Sequence, residues 1–160
     1  MERKLKDKLP KGKFPNVEPR HTQIMKGVRG RGNKTTEVRF RAALVGAGIS
    51  GWQLHARGIP GNPDFYFPKE QLAVFIDGCF WHGCVLCGHI PNKNRAFWQE
   101  KINRNRERDR RNTVKLRSQG VSVLRFWEHE VSESLRECID LTRKRLMLRK
   151  KQLLRKQEGD

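Results

Sequence analysis

The run of residues 74–89 constrains the fold of this chain more than any other segment. It begins inside a short apolar block, residues 72–76, which has the length and character of a buried strand. Asp77 follows where that strand should end, and three cysteines come next in the spacing C-x4-C-x2-C, namely Cys79, Cys84 and Cys87. Thiols this close together in a sequence usually bind metal. The segment therefore predicts a strand that ends at a carboxylate and continues into a metal-bound loop.

Structural zinc takes four ligands in a tetrahedron, so the three cysteines need one more. The sequence offers three candidates. His89 follows Cys87 by two residues, which makes a tight loop. Cys138 lies among apolar residues of a predicted helix, where a small buried thiol needs no metal. His129 follows the last predicted strand and could fold back onto the same sheet edge. We rank His129 slightly ahead of His89, and all three stay open on these grounds.

A second acid, Asp64, precedes Ile76 by twelve residues and follows the turn residues 60–63. Two carboxylates at the ends of neighbouring strands suit a hard divalent cation such as Mg²⁺. Such an ion polarises a phosphodiester and activates an attacking water. Many nucleases carry a lysine two residues after the second acid, but Cys79 stands there, so His82 is the candidate general base. The alternative for His82 is a supporting role in the zinc loop.

The formal net charge of +18 is concentrated at the two ends of the chain. Residues 1–34 contain eleven Lys and Arg against three acids, and residues 141–160 contain eight against two. This distribution is typical of a protein that binds a polyanion. No stretch reaches the roughly eighteen apolar residues of a membrane span, and no secretion signal precedes the cysteines. We expect a cytoplasmic or nucleoid protein with no membrane partner.

The periodicity predicts an α/β fold with a mixed central sheet flanked by helices. A helix begins at Thr35 or Thr36, with Glu37 in its first turn as a dipole-complementing acid, and ends near Gly46. The remaining predicted elements are strands at 52–56, 64–67, 72–77 and 121–127 and helices at 94–119 and 132–156. We expect three regions, a basic flexible arm at 1–33, a core with the zinc loop at 34–131 and a basic helix or tail at 132–160.

Between about residues 20 and 130 the chain resembles the very short patch repair (Vsr-type) endonucleases, which have the restriction-endonuclease-like fold. The motifs that carry the resemblance are Pro63-Asp64-Phe65, DGCFWH at 77–82, Phe97-Trp98 with EKI at 100–102, NRERDRR at 105–111, and Trp127-Glu128. Members of this family nick one DNA strand on the 5′ side of the thymine in T:G mismatches left by deamination of 5-methylcytosine. The resemblance implies the same activity here.

The resemblance also implies a role for each matching residue. It makes Asp64 the principal Mg²⁺ ligand with the carbonyl of Ile76, His82 the catalytic histidine, Glu37 a supporting acid and Asp109 the partner of the histidine. It assigns the Zn²⁺ ligands as Cys79, Cys84, Cys87 and His129. The best-known members carry histidine where this chain has Asp77, which makes Asp77 an alternative direct metal ligand.

The expected partner is double-stranded DNA with a mismatch. By resemblance, an aromatic wedge enters the base stack, and the helix behind it lies along the DNA, as follows: Phe80, Trp81 and Trp98, then Lys101 and Asn105. Met25 and Val28 match an N-terminal pair that enters the minor groove. We expect a monomer, with repair proteins as further partners. Two alternatives stay open, a Vsr-like nickase or homing-type endonuclease with another target, and a non-catalytic zinc-stapled nucleic-acid binder.

Overall fold

The structure of this chain, a computed structural model, describes residues 34–158. Its elements in chain order are α1 Lys34–Gly46, β1 Gln53–Leu54, β2 Phe65–Phe67, β3 Leu72–Asp77, α2 Arg95–Ser118, β4 Ser122–Trp127, α3 Glu128–Glu133 and α4 Leu135–Gln157. The predicted arm at 1–33, with Met25 and Val28, lies outside the described residues. Within them, no helix is both long and apolar enough to cross a bilayer.

The four strands form one mixed sheet in the order β1-β2-β3-β4. The first two pairings are antiparallel, and β3 pairs with β4 in parallel. A parallel pair needs a crossover connection, which α2 supplies here. The parallel register runs from Leu72 opposite Ser122 to Asp77 opposite Trp127. Both strands therefore end side by side at one edge of the sheet, and the segments that follow them start from neighbouring points.

The core occupies both faces of the sheet, because every residue of β3 is buried. Successive side chains of a strand point to opposite faces. Leu72, Val74 and Ile76 accordingly pack with Phe40 and other residues of the larger cluster, which includes α1, α3 and α4. The intervening residues Ala73 and Phe75 pack in a second cluster with Leu116 of α2 and Val121. This burial on both faces explains why β3 reads as an uninterrupted apolar run.

The predicted fold class is confirmed, and the predicted helices and strands lie close to those observed. One prediction is wrong in detail. The last helix, expected at 132–156, is two helices that break at Ser134, which adopts φ −128°. The side chain of Glu130 accepts a hydrogen bond from the Trp127 amide at 2.7 Å and so starts the short α3 directly after β4.

The beginning of α4 belongs to the core of the domain. Cys138, Ile139 and Thr142 are buried, and the Thr142 hydroxyl donates to the Cys138 carbonyl at 2.8 Å. Further along, the Arg149 guanidinium donates to the carbonyls of Glu70 and Gly120 at 3.0 and 2.7 Å. These contacts fix α4 against the loops that precede β3 and β4. The boundary at residue 131 stays a prediction, although packing crosses it.

If α4 is part of the core, its buried and exposed residues should respond differently to truncation. We predict that Ile139→Ala lowers the free energy of unfolding by about 2–5 kcal/mol, because it leaves a cavity against the sheet. Leu154→Ala on the exposed part of the same helix should change it by less than about 0.5 kcal/mol. Urea unfolding followed by circular dichroism measures both. Equal, small effects would mean that α4 is a dispensable tail.

Candidate active site and metal centre

Four potential zinc ligands meet at the edge where β3 and β4 end. Cys79, Cys84 and Cys87 come from the loop after β3, and His129 comes from the first turn of α3, after β4. Cys79 lies two residues beyond Asp77, and His129 lies two residues beyond Trp127. Because Asp77 and Trp127 are partners in the parallel register, the chain delivers both ligands to the same place.

The spacing of these atoms fits a tetrahedral zinc ion. The Nδ1 atom of His129 lies 3.3, 3.7 and 3.4 Å from the Sγ atoms of Cys79, Cys84 and Cys87, and the last two sulfurs are 3.7 Å apart. With Zn–S near 2.3 Å and Zn–N near 2.0 Å, a tetrahedron has edges of about 3.5–3.8 Å. The Cys₃His set is thus compatible with structural zinc. The two other candidates are elsewhere, since Cys138 is in the core and His89 is exposed.

The thiols of this cluster lie close enough to change one another's pKa values. The neighbouring Cys79 thiol, with burial and Cys84, raises the pKa of Cys87 to about 12. Burial opposes ionisation of Cys84, but backbone amides of Cys87 and Leu86 prevail and lower its pKa.

The loop is closed tightly at Gly88, where a Cβ would lie 2.3 Å from the Cys84 carbonyl oxygen. Only glycine fits there, so the backbone itself is shaped around the cluster.

A second group of potential ligands consists of Glu37, His55 and Asp64, whose ligand atoms lie within 4.8 Å of one another. His55 Nε2 is 3.3 Å from a Glu37 oxygen, and His55 Nδ1 is 4.0 Å from an Asp64 oxygen. Both carboxylates are largely buried, with 15% and 16% of their side chains exposed, whereas His55 is 60% exposed. Two carboxylate oxygens facing each other suit a hard divalent cation, which prefers oxygen ligands.

Asp64 is held at the sheet edge by backbone contacts. Its Oδ2 atom accepts a hydrogen bond from the Ile76 amide at 2.7 Å, and its carbonyl accepts one from the His55 amide at 3.2 Å. Burial is the main reason that the pKa of Asp64 is raised to about 6, and Glu37 adds to it, while the Ile76 amide opposes it. A buried acid beside another acid is a site where a cation is electrostatically favoured.

Asp77 lies elsewhere, because Arg125 of β4 holds both of its oxygens. The Arg125 guanidinium donates to Asp77 Oδ2 and Oδ1 at 2.7 and 2.6 Å, and it also lies over the Phe75 ring at 4.6 Å. Such bidentate pairs fix geometry as well as charge. Within the described residues, Asp77 is not among the groups that cluster with Asp64. Its expected alternative role as a metal ligand stays a prediction, and the structure gives it an arginine as its partner.

His82 and Asp109 form a close pair. The Nδ1 atom of His82 lies 2.6 Å from Asp109 Oδ2, and Asp77 Oδ1 is further away at 3.7 Å. Burial works against the charge of Asp109, but His82, Arg125 and Arg108 prevail and lower its pKa. A carboxylate on Nδ1 keeps the proton on that nitrogen and leaves Nε2 as the basic atom of the ring. This is the arrangement that a general base requires.

The aromatic residues expected to contact DNA form one partly exposed cluster. Ring centroids of Phe80 lie 5.0 Å from Trp81 and 5.3 Å from Trp98, with near-perpendicular planes. The Lys101 ammonium lies 5.0 Å from the Trp81 ring, and the Asn105 amide donates to the Trp81 carbonyl at 2.9 Å. The structure thus brings together all five residues described for this surface, and it shows that Lys101 and Asn105 also hold the loop on α2.

Two residues of this region, His55 and Arg125, were missed by the sequence reasoning. His55 has φ 47° and follows a strand of only two residues, so neither periodicity nor a motif marks it. The antiparallel pairing of Leu54 with Phe65 places it opposite Asp64, and recognition of that hairpin could have found it. Arg125 could have been found from the parallel pairing of β4 with β3. That register places Arg125 opposite Phe75, two residues before Asp77, and so within reach of its carboxylate.

Several known proteins are similar in sequence to this chain. The family described as "DNA mismatch endonuclease Vsr" matches residues 17–87. The type II nicking enzyme V.XorIIP of Xanthomonas oryzae pv. oryzae is 36% identical over 71% of this chain and 83% of its own length. The type II nicking enzyme V.NmeDIP of Neisseria meningitidis serogroup C is 36% identical over 76% of this chain and 82% of its own length. The DNA mismatch endonuclease Vsr of Escherichia coli K12 is 38% identical over 58% of this chain and 59% of its own length.

The mixed sheet, the buried carboxylates Glu37 and Asp64, and these similarities together define a DNA endonuclease. The zinc-compatible Cys₃His cluster lies at the same end of β3 as His82. The chain belongs to the Vsr family of DNA endonucleases. The individual roles of the site residues stay predictions.

The zinc assignment predicts different outcomes for two buried cysteines. Cys84→Ser should remove stoichiometric zinc, measured by elemental analysis of the purified protein, and should lower the melting temperature, because structural zinc contributes folding energy. Cys138→Ala is the matched control, since its thiol is buried in the core and its pKa is raised to about 11 mainly by burial. That control should keep the zinc. Loss of zinc from Cys138→Ala would contradict the Cys₃His assignment.

The raised pKa of Asp64 predicts that this residue destabilises the fold at neutral pH. The folded state binds the Asp64 proton more tightly than the unfolded chain, so its contribution to stability falls as pH rises from about 4 to about 6. Asp64→Asn removes this cost while keeping an oxygen for the Ile76 amide. We expect a gain in unfolding free energy of up to about 3 kcal/mol at pH 8, and about half of it at pH 5.

Urea unfolding of the zinc-loaded protein at pH 5 and pH 8, without added magnesium, measures this gain. Asp140→Asn, an exposed acid on α4, is the control and should show neither the gain nor its pH dependence. A destabilised Asp64→Asn at pH 8 would mean that the carboxylate serves the fold and carries no functional strain.

Proposed function

We propose that this chain is a magnesium-dependent, strand-specific endonuclease that nicks DNA on the 5′ side of the thymine in T:G mismatches. The observation that carries the proposal is the meeting of three groups at one edge of the sheet. These are the buried carboxylates Glu37 and Asp64, the His82–Asp109 pair, and the aromatic cluster beside them. Each has a distinct task in cutting one phosphodiester beside a distorted base pair.

The residues that would hold Mg²⁺ are Asp64 and the carbonyl of Ile76, with Glu37 nearby. In a strand, the N–H and C=O of one residue point towards the same neighbour. The Ile76 amide donates to Asp64, so its carbonyl is expected on the same side. The donor set of two carboxylates and a carbonyl fits a hard cation, and such an ion supplies charge neutralisation at a phosphodiester. The exposed His55 fits better as a partner that orients Glu37.

His82 is proposed to take the proton of the attacking water. Asp109 fixes the imidazole through Nδ1, which leaves Nε2 to act as the base. Asp77 is the more distant acid, at 3.7 Å from the same ring nitrogen against 2.6 Å for Asp109, and Arg125 binds both of its oxygens, so Asp77 does not compete with Asp109 for the histidine. Among the described residues, His82 thus has one close carboxylate partner at Nδ1, and Nε2 is left to accept a proton, which is the state that proton transfer needs.

The aromatic cluster supports recognition of a mismatch. Wedging a side chain between base pairs costs a few kcal/mol of stacking, and less where the pair is already mismatched. Phe80 and Trp81 lie half-buried on the loop that also carries His82, and the half-buried Trp98 of α2 packs against them. A wedge that is fixed to the catalytic loop would place the scissile phosphate at a constant distance from the lesion. This coupling supports cleavage beside the mismatch.

A second candidate function is nicking at a different DNA target. By the resemblance described above, Asp77 occupies a position where the best-known members of the family carry histidine. Arg125 binds this Asp77, which lies beside the proposed catalytic pair. It alters the surroundings of His82 without removing either Asp64 or Asp109. Chemistry would then be the same and only the target would differ.

Strand-resolved cleavage of labelled duplexes separates these functions. Matched duplexes and duplexes with a single T:G mismatch are compared with and without added Mg²⁺, using zinc-loaded protein. The proposal expects one Mg²⁺-dependent nick on the 5′ side of the mismatched thymine. Efficient nicking of matched DNA would instead support the second candidate, and binding without any cleavage would overturn both.

Two substitutions test the assigned roles in the same assay. We expect Asp64→Ala and His82→Gln each to lower the nicking rate by at least about 100-fold, since a metal carboxylate or general base is removed. DNA affinity should fall by less than about threefold, because phosphate contacts come from the basic surfaces. Asp140→Asn is the control and should nick at the wild-type rate. Parallel loss of binding and cutting would contradict the assigned roles.

A further inference from the structure

A groove runs along β4, which is an edge strand of the described sheet. One part of it, a cavity of about 360 Å³, is lined by His82, Asp77 and Asp109 together with residues of α2. The other part, about 320 Å³, lies between the end of α2, the start of β4 and α4. Arg117 lines both cavities, so they are adjacent. The groove therefore connects the proposed catalytic histidine to α4, and we name it the arginine groove.

Three arginines of the arginine groove have no carboxylate partner among residues 34–158. They are Arg106, at the His82 end, Arg117, where the cavities meet, and Arg145, on α4. The other arginines are already engaged, since Arg110 pairs with Glu107, Arg125 with Asp77, and Arg149 with backbone carbonyls. The α4 end of the groove is lined by no acid at all. Unpaired like charges that share a concave surface attract an anion.

Arg106, Arg117 and Arg145 occur in succession along the groove, from its His82 end to α4, as contacts with a polymer of phosphates require. Arg106 and Arg117 lie eleven residues apart on α2, which corresponds to about 16 Å along the helix. One DNA strand places a phosphate every 3.4 Å or so along the duplex axis, so this length matches about five base pairs. Arg145 extends the line onto α4, whose residues 143–156 contain eight cations and no acid.

We propose that the arginine groove binds the phosphodiester backbone of the DNA that flanks the cleavage site and leads it from His82 towards α4. This inference rests on the proposed function insofar as the scissile phosphate lies at His82. DNA is the polyanion that this enzyme class already binds, and the groove begins at the candidate catalytic pair. The proposal gives the basic helix α4 a task, namely to extend the grip on one flank beyond the sheet.

The test compares two double variants that remove the same number of charges. Arg117→Gln/Arg145→Gln removes the unpaired arginines of the groove. Lys150→Gln/Lys151→Gln removes two exposed cations of α4 that do not line it, whereas Arg145, Leu148, Arg149 and Gln152 share the lining face. Affinity for a T:G duplex with about ten base pairs on each side is measured over a range of salt concentrations without added Mg²⁺. Each lost phosphate contact lowers the salt slope by about 0.9.

The slope of log K against log salt is negative. We expect its magnitude to be smaller by about 1.8 in the arginine variant and to stay near the wild-type value in the lysine variant. Trimming the duplex to about three base pairs on one particular side should abolish the difference between wild type and the arginine variant, because the groove spans about five. Equal slopes for the two variants would overturn the proposal. A difference that survives trimming on either side would also overturn it, since the contact would then come from a second duplex.

This readout is independent of cleavage. One outcome is that the wild-type protein fails to nick T:G duplexes, while the arginine variant still has a shallower salt dependence of affinity than wild type on the long duplex. The proposed DNA target is then wrong, and the proposal that the groove binds the DNA backbone is supported. If nicking occurs as proposed and the slopes are equal, the groove alone is wrong. Thermal melting of both variants controls for folding, and neither pair of residues makes an ion pair within the described part of the chain.

Discussion

The parallel pairing of β3 with β4 is the constraint on which the rest of this site depends. Because Asp77 is opposite Trp127, the chain segments that leave the two strands start from adjacent points. One segment carries Cys79 and the other carries His129, each two residues beyond its strand, and the two side chains approach to 3.3 Å. A shift of the register by one residue would separate these ligands and turn Arg125 away from Asp77, because alternate residues face opposite sides of a sheet. A zinc ion bound by these residues would therefore stabilise this strand register, and the register in turn brings its ligands together.

The same register sorts the acids of the site into separate tasks. Asp64, Asp77 and Asp109 all lie near the edge where β3 ends, and three uncompensated carboxylates there would repel one another. Arg125 faces this edge from β4 and binds Asp77 with both nitrogens, while its contact with Asp109 is longer at 3.8 Å. Asp109 remains available to His82, and Asp64 remains beside Glu37 with its pKa raised to about 6 by burial first of all. The half-buried Arg125 thus leaves two separate groups, the His82–Asp109 pair and the carboxylates Glu37 and Asp64.

The sequence was sufficient to predict the parts of the molecule that are encoded locally. The apolar run of β3, the three cysteines, and the helices around Phe40 and Ile102 were recognisable because each depends on residues within one segment. The residues that were missed depend on pairing between segments. His55 reaches Asp64 only through a two-residue strand, and Arg125 reaches Asp77 across forty-eight positions. His129 could be ranked among three zinc candidates but not separated from His89, since its position depends on the parallel register.

The loop after β3 combines potential zinc ligands with candidate catalytic residues, which limits how either can change. Between the thiols of Cys79 and Cys84 lie Phe80, Trp81 and His82, so the wedge and the candidate base are held between two potential zinc ligands. The loop is also fixed from α2, where the Asn105 amide binds the Trp81 carbonyl. Gly83 adopts φ +65°, and a Cβ there would lie 2.6 Å from Ile102 of α2. If His82 is the general base, the cysteine in the position where many nucleases place lysine has a physical reason: Cys79 can serve as a potential zinc ligand, while His82 is held on the same loop and is positioned by Asp109 of α2.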